Sequence, residues 1–134
     1  MCRACGNVAN MKPLPGWFRY ASWLMAALFA ICVALQYNDP DPIRWMLIYG
    51  AAMIVSAVLP AKRGAWPIGV LVGAAALVWA IVLTMHVWGI IHLDDLWKKM
   101  SEKGGAVEEG REAGGMWIEA VWLFAACACR RTRA

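Results

Sequence analysis

The sequence predicts an all-α integral membrane protein, a bundle of four membrane-spanning helices with both termini on the cytoplasmic side. Apolar residues make up 62% of the 134 positions and charged residues 16%, against about a quarter in an ordinary soluble domain. Four long apolar segments follow one another along the chain. Nine tryptophans, several of them at segment edges, are typical of the aromatic belts at membrane interfaces. This composition argues against a soluble enzyme and against disorder.

The chain divides into a cytoplasmic tail over residues 1–16, a four-span domain over 17–128 and a basic tail over 129–134. The four spans are predicted at about 17–37, 43–60, 66–92 and 107–128. The third segment reaches spanning length alone, and the first two reach it with their aromatic flanks. The fourth apolar run is short, so its helix is expected to extend upstream to Val107 despite several glycines. Continuous apolar runs favour helices over the alternating strands of a membrane barrel.

Prolines mark the boundaries of the second and third spans. Asp41 is a good N-cap residue, and Pro42 follows it at the first helical position. Pro60 ends the second segment and Pro67 begins the third. An alternative for the first segment is a signal peptide, because basic residues precede its apolar run, although the small-residue cleavage pattern at its end is imperfect.

The distribution of basic residues predicts the orientation. Eight lie on the side of the two termini: Arg3, Lys12, Arg19, Lys62, Arg63, Arg130, Arg131 and Arg133. Five lie on the other side: Arg44, Lys98, Lys99, Lys103 and Arg111. The positive-inside rule therefore places both termini in the cytoplasm, in an inner or plasma membrane. A net charge of +4 is too small to indicate nucleic-acid binding.

Polar residues with chemical potential gather in the two outer loops and at the start of the fourth span. The candidate polar cluster comprises Asn38, Asp39, Asp41, His92, Asp95, Glu108, Arg111, Glu112 and Glu119. Proline after Asp39 and after Asp41 favours extended backbone, which holds these carboxylates in a stiff array suited to a hard cation. The simpler interpretation is an Asx-turn at Asn38 and a helix cap at Asp41.

The spacing of Glu108, Glu112 and Glu119 places them on one stripe of the fourth helix. An ionisable residue at membrane depth, as expected for Glu119, is a functional hypothesis by default. The stripe would lead protons or cations inward. The favoured alternative is structural: Glu119 pairs with Arg111, Arg44 or His86, or it is protonated and bonded to a neighbour. Snorkelling toward the interface is a third.

Two further sets of residues are weaker candidates for metal binding. His92 and Asp95 share a face if the third helix continues through them, and imidazole with carboxylate suits zinc. A polar end of the helix is the simpler interpretation. Cys2, Cys5, Cys127 and Cys129 form a CxxC and a CxC that are compatible with a four-thiolate zinc site. Incidental cysteines are favoured, and no cofactor is predicted.

The segment Leu35-Gln36-Tyr37-Asn38-Asp39-Pro40-Asp41-Pro42, followed by Trp45 and Tyr49, resembles the signature of the transmembrane protein 220 family. The acidic segment Glu108-Glu109-Gly110-Arg111-Glu112 is similar to a second motif of the family. The resemblance covers roughly residues 17–128. It implies a small four-helix membrane protein and no established activity.

The sequence contains no recognisable catalytic set, so we expect no enzyme. It favours a structural or accessory subunit that packs with other membrane proteins. The alternative is an outward-facing site for a cation, a proton or a small solute, built from the NDPDP loop and the acidic start of the fourth span. The lipid bilayer is the expected environment. Gly69 and Gly73 form a GxxxG motif that serves either packing within the chain, which is favoured, or self-association.

Overall fold

The computed structural model describes residues 13–132 and is all-α in this range. Four α-helices follow one another: α1 (Gly16–Leu35), α2 (Pro42–Val58), α3 (Trp66–Val87) and α4 (Ala106–Arg131). Short 3-10 segments join them at Gln36–Asn38, Arg63–Ala65, Leu93–Trp97 and Glu102–Gly105. Helices α1, α3 and α4 are long and apolar enough to cross a membrane, whereas α2 has 17 residues and is shorter.

Two pairs of helices build the fold. Helix α1 packs along α2, α3 packs along α4, and α2 contacts both members of the second pair. The main core lies where α2 meets the other helices, and Trp45 near the start of α2 belongs to it with 1% of its surface exposed. The Trp45 ring stacks on Trp79 of α3 at 5.1 Å and on Tyr49 at 6.3 Å. Large apolar side chains on the outer faces of the helices, such as Leu47 and Leu71, are exposed, as expected of helices that contact lipid.

The GxxxG motif of α3 is used within the chain. Gly69 and Gly73 are buried, and a Cβ on Gly69 would collide with the Cys127 sulfur of α4. A Cβ on Gly73 would lie 3.2 Å from the Cβ of Leu123. These two glycines let α3 and α4 approach closely, so the packing that is favoured by the sequence leaves neither of them accessible to a second copy.

Two helix ends differ from the predicted spans. Helix α3 ends at Val87, five residues before the predicted limit at position 92, because Trp88 is extended and Gly89 adopts a positive φ of 76°. Such a φ favours glycine and ends the helix. Helix α4 continues to Arg131, so the first three residues of the predicted basic tail are helical. The part of the predicted N-terminal tail before position 13 lies outside the described residues.

Candidate functional site

The structure brings together three carboxylates from separate parts of the chain. Asp39 follows α1, and Glu108 and Glu112 lie one turn apart near the start of α4. One oxygen of each side chain lies within 4.8 Å of an oxygen of each of the other two, and all three residues are half-buried. We call Asp39, Glu108 and Glu112 the carboxylate cluster. Within residues 13–132 no other group of three potential metal ligands is this compact.

The loop after α1 fixes the position of Asp39. Its Oδ1 atom accepts a hydrogen bond of 2.9 Å from the backbone N–H of Asp41, which closes an Asx-type turn. The sequence favours Asn38 for such a turn, but the structure uses Asp39, and Asn38 is exposed. Asp41 occupies the N-cap position of α2 without a side-chain cap bond. Its carboxylate instead lies 3.4 Å from the guanidinium of Arg44.

No arginine or lysine forms an ion pair with the carboxylate cluster in the described part of the chain. The charge of Arg44 acts on Glu112, but its guanidinium pairs with Asp41 and lies 5.2 Å and 5.1 Å from the ring centroids of Trp45 and Trp79. Arg111 is exposed and makes no ion pair with residues 13–132. Neighbouring carboxylates oppose one another's ionisation. The approach of these three side chains therefore favours the uptake of a proton or a cation.

Glu119 lies two turns beyond Glu112 on the same helix, inside the core. Its exposed fraction is 0%, and neither carboxylate oxygen has a hydrogen-bond partner among the described residues. The favoured expectation that Glu119 pairs with a basic side chain is therefore wrong. His86, one of the predicted partners, instead has its Nδ1 atom 3.9 Å from the carboxylate of Glu109. Burial without a partner favours the neutral acid at Glu119.

Tyr49 lies within electrostatic range of both Glu112 and Glu119, and no role was predicted for it from the sequence. Its ring lies between Phe29 and Trp45, with 6% of its surface exposed. Both Glu112 and Glu119 interact electrostatically with its hydroxyl. A Cβ on Gly115 would collide with this hydroxyl, so a glycine that weakens α4 makes room for the tyrosine. The sequence did contain an indication of this role, because Tyr49 belongs to the motif that carries the family resemblance.

His92 and Asp95 lie apart from the carboxylate cluster, in the connection between α3 and α4. Because α3 ends before them, the predicted shared helical face does not form, and His92 is exposed. The Asp95 carboxylate is buried and accepts hydrogen bonds from Lys103 Nζ at 2.5 Å, Lys98 Nζ at 2.6 Å and the His92 N–H at 2.8 Å. These bonds, led by the one from Lys103, hold the pKa of Asp95 well below its usual value. Asp95 is thus a structural anchor of the loop.

The cysteines give no metal centre within the described residues. Cys127 is buried against Gly69 of α3, and Cys129 is half-buried. The predicted partners Cys2 and Cys5 lie outside the described residues. Of the nine candidate polar residues, the structure therefore brings Asp39, Glu108 and Glu112 together. It places Glu119 beneath them and puts the rest elsewhere or on the surface.

Apolar helices with a polar cluster at one end define a helical membrane protein. A family model described as "Transmembrane family 220, helix" matches residues 28–128, and the chain belongs to this family. The resemblance found in the NDPDP segment is thereby confirmed. No solved structure matches the chain.

Proposed function

We propose that this protein binds a cation at the carboxylate cluster. The observation that carries the proposal is the approach of three carboxylates to within 4.8 Å without an arginine or lysine ion pair among residues 13–132. An arginine pair would make the cluster a structural clasp, whereas a bound cation or a shared proton makes it a site. The proposal assigns no catalytic activity to the chain.

The donor set favours a hard divalent cation. Carboxylate oxygens are the ligands that Mg²⁺, Ca²⁺ and Mn²⁺ prefer, and water molecules complete their coordination. Neither a histidine nor a cysteine belongs to the group, which argues against zinc. Glu119 lies about 10 Å beyond Glu112 along α4, and Tyr49 of α2 is within electrostatic range of both, which extends the line of polar groups below the cluster. This line supports a role in which cation binding and proton release are coupled.

Thermal unfolding of the purified protein in mild detergent tests the proposal. After treatment with EDTA, addition of Mg²⁺, Ca²⁺ or Mn²⁺ is expected to raise the Tm, by the equivalent of about 2.7 kcal/mol at a hundredfold excess over Kd. Glu112→Gln is expected to abolish this response. The matched control is Glu102→Gln, which removes an exposed carboxylate outside the cluster and is expected to keep it. An unresponsive wild type, or a response that survives in Glu112→Gln, contradicts the proposal.

The second candidate is the accessory subunit that the sequence favours. The supporting observation is an open groove of about 890 Å³ between α2 and α3, lined mainly by apolar side chains that include Leu47, Ala51 and Leu71. A helix of another membrane protein would fill it. Ala51→Trp is then expected to remove a stoichiometric partner from the protein purified in mild detergent. Ala57→Trp, at an exposed position of the same helix outside the groove, should leave the partner bound.

We further propose that all four helices cross the membrane, with both termini in the cytoplasm and the carboxylate cluster on the opposite side. The support is the excess of basic residues on the side of the two termini, eight against five. Helix α2 spans about 25 Å, so its flanking loop residues must complete the crossing. Reporter fusions at the C-terminus and within residues 98–105 are expected to give opposite readouts. The same readout from both fusions contradicts this topology.

A further inference from the structure

Arg130 is a buried arginine at the end of α4 that lies farthest from the carboxylate cluster. Only 4% of its surface is exposed, and its Nε atom has no hydrogen-bond partner among the described residues. No carboxylate of residues 13–132 forms an ion pair with it. An arginine does not lose its proton in a protein. A buried guanidinium therefore needs an anion, because an unpaired charge in this position is strongly destabilising.

The described chain has no anion to offer at this end. All nine acidic residues of the sequence lie at positions 39–41 and 94–119. The charge of Arg63 acts on Arg130, and the guanidinium of Arg131 lies 5.4 Å from the ring centroid of Trp66. We call Arg63, Arg130 and Arg131, with Trp66, the basic end.

We propose that the basic end binds the phosphate of an anionic phospholipid headgroup, with Arg130 as its principal ligand. Arginine pairs with phosphate through charge-assisted hydrogen bonds. Basic pockets at the ends of membrane helices are suited to anionic headgroups. The tryptophan ring indicates the depth, since tryptophan prefers the interface where headgroups lie. A free phosphate offers the same chemistry, but lipid is present at this depth at a far higher local concentration.

The test compares the full chain in nanodiscs of phosphatidylcholine alone and of phosphatidylcholine with phosphatidylglycerol. Phosphatidylglycerol is expected to raise the Tm of the wild type, and native mass spectrometry is expected to find it retained on the chain. Arg130→Gln should lose most of this increment and the retained lipid. The matched control is Arg19→Gln, which removes an exposed arginine near the same end of the molecule and should keep both.

Phosphatidylcholine alone distinguishes lipid binding from a purely structural role. There Arg130→Gln is expected to lose much less stability relative to the wild type than in the mixed nanodiscs, because the phosphate of phosphatidylcholine is balanced by its own choline and gives Arg130 a weaker contact. If Arg130→Gln does not fold, Arg130→Lys serves instead. It keeps the charge but loses the planar fork of donors, and should weaken phosphatidylglycerol retention several-fold.

Three results would overturn the proposal. If phosphatidylglycerol raises the Tm of the wild type and of the Arg130 variant equally, the effect is one of general surface electrostatics. An equal loss of stability in both lipid mixtures would make Arg130 structural. If inorganic phosphate in neutral detergent raises the Tm as much as phosphatidylglycerol does, the ligand is free phosphate rather than lipid. None of these results bears on cation binding at the carboxylate cluster.

Discussion

Replacing Gly69 by alanine is expected to destabilise the protein, because the added methyl group has no room. Gly69 is buried where α3 meets α4. Its Cβ would collide with the Cys127 sulfur and would lie 3.0 Å from Cγ1 of Val55. Obstacles on two different helices mean that a shift away from one moves the methyl group toward another.

Two opposing effects set the magnitude. Alanine is favoured over glycine in a helix by about 1 kcal/mol, whereas overpacking a core costs about 1–3 kcal/mol. We expect Gly69→Ala to lower the free energy of unfolding by about 1 kcal/mol overall. Gly50→Ala in α2 is the control, since a Cβ there would meet nothing within 4 Å. Gly50→Ala should gain only the stabilisation from the higher helix propensity of alanine. The free energies of unfolding of the two variants should then differ by about 2 kcal/mol.

The assay is thermal unfolding in one detergent, followed by the fluorescence of the nine tryptophans. The double variant Gly69→Ala with Cys127→Ala tests the geometry directly, because it removes the sulfur that the new methyl group meets. We expect a coupling energy of about 1–2 kcal/mol between the two sites. Two results would refute the close approach of α3 and α4 at this point. The first is that Gly69→Ala is as stable as Gly50→Ala, and the second is that the double-mutant cycle with Cys127→Ala shows no coupling energy.

Two further predictions concern buried polar groups. The pKa of Asp95 is held low by its lysine partners, so its contribution is present above the unfolded-state pKa of about 3.9 and is lost as the pH falls through the folded-state value. The Tm difference between wild type and Asp95→Asn should be constant from pH 7 to 5 and shrink below pH 4; a constant difference throughout contradicts this. Ser56→Ala should destabilise the protein by about 1–2 kcal/mol, since Ser56 Oγ accepts the 2.9 Å bond from the Trp122 indole N–H. Ser22→Ala should be neutral, because the buried Ser22 hydroxyl has no partner among the described residues, and equal Tm losses in the two serine variants would contradict the assignment.

The helices were predictable because their signals are local. The apolar length of a segment and the Asp41-Pro42 start can both be read from residues that are neighbours in the chain. The end of α3 was predicted five residues too late, since the apolar run continues to Ile91 although the backbone turns at Gly89. Hydrophobicity follows the composition of a segment, and it does not detect a backbone turn inside an apolar stretch.

The candidate site was predictable only as far as one helix determines it. The stripe of Glu108, Glu112 and Glu119 follows from the helical period. The approach of Asp39 to that stripe depends on how α1 and α2 pack against α4, which a single sequence does not specify. The role of Asp95 was missed because its partners Lys98 and Lys103 come from a loop with no periodic pattern. Loop contacts of this kind depend on chain geometry rather than on residue spacing.

Helix α4 carries the two buried ionisable residues that lack partners within the described chain, Glu119 and Arg130. They differ in one chemical respect. A glutamate becomes neutral by taking up a proton, whereas an arginine stays charged in any accessible pH range. If both proposals hold, the interior near the carboxylate cluster responds to protons and cations, and the basic end holds a permanent anion. The same helix would thus be held at one end by a constituent of the membrane and left responsive at the other, which is the arrangement expected if cations reach the cluster while the lipid contact keeps α4 in place.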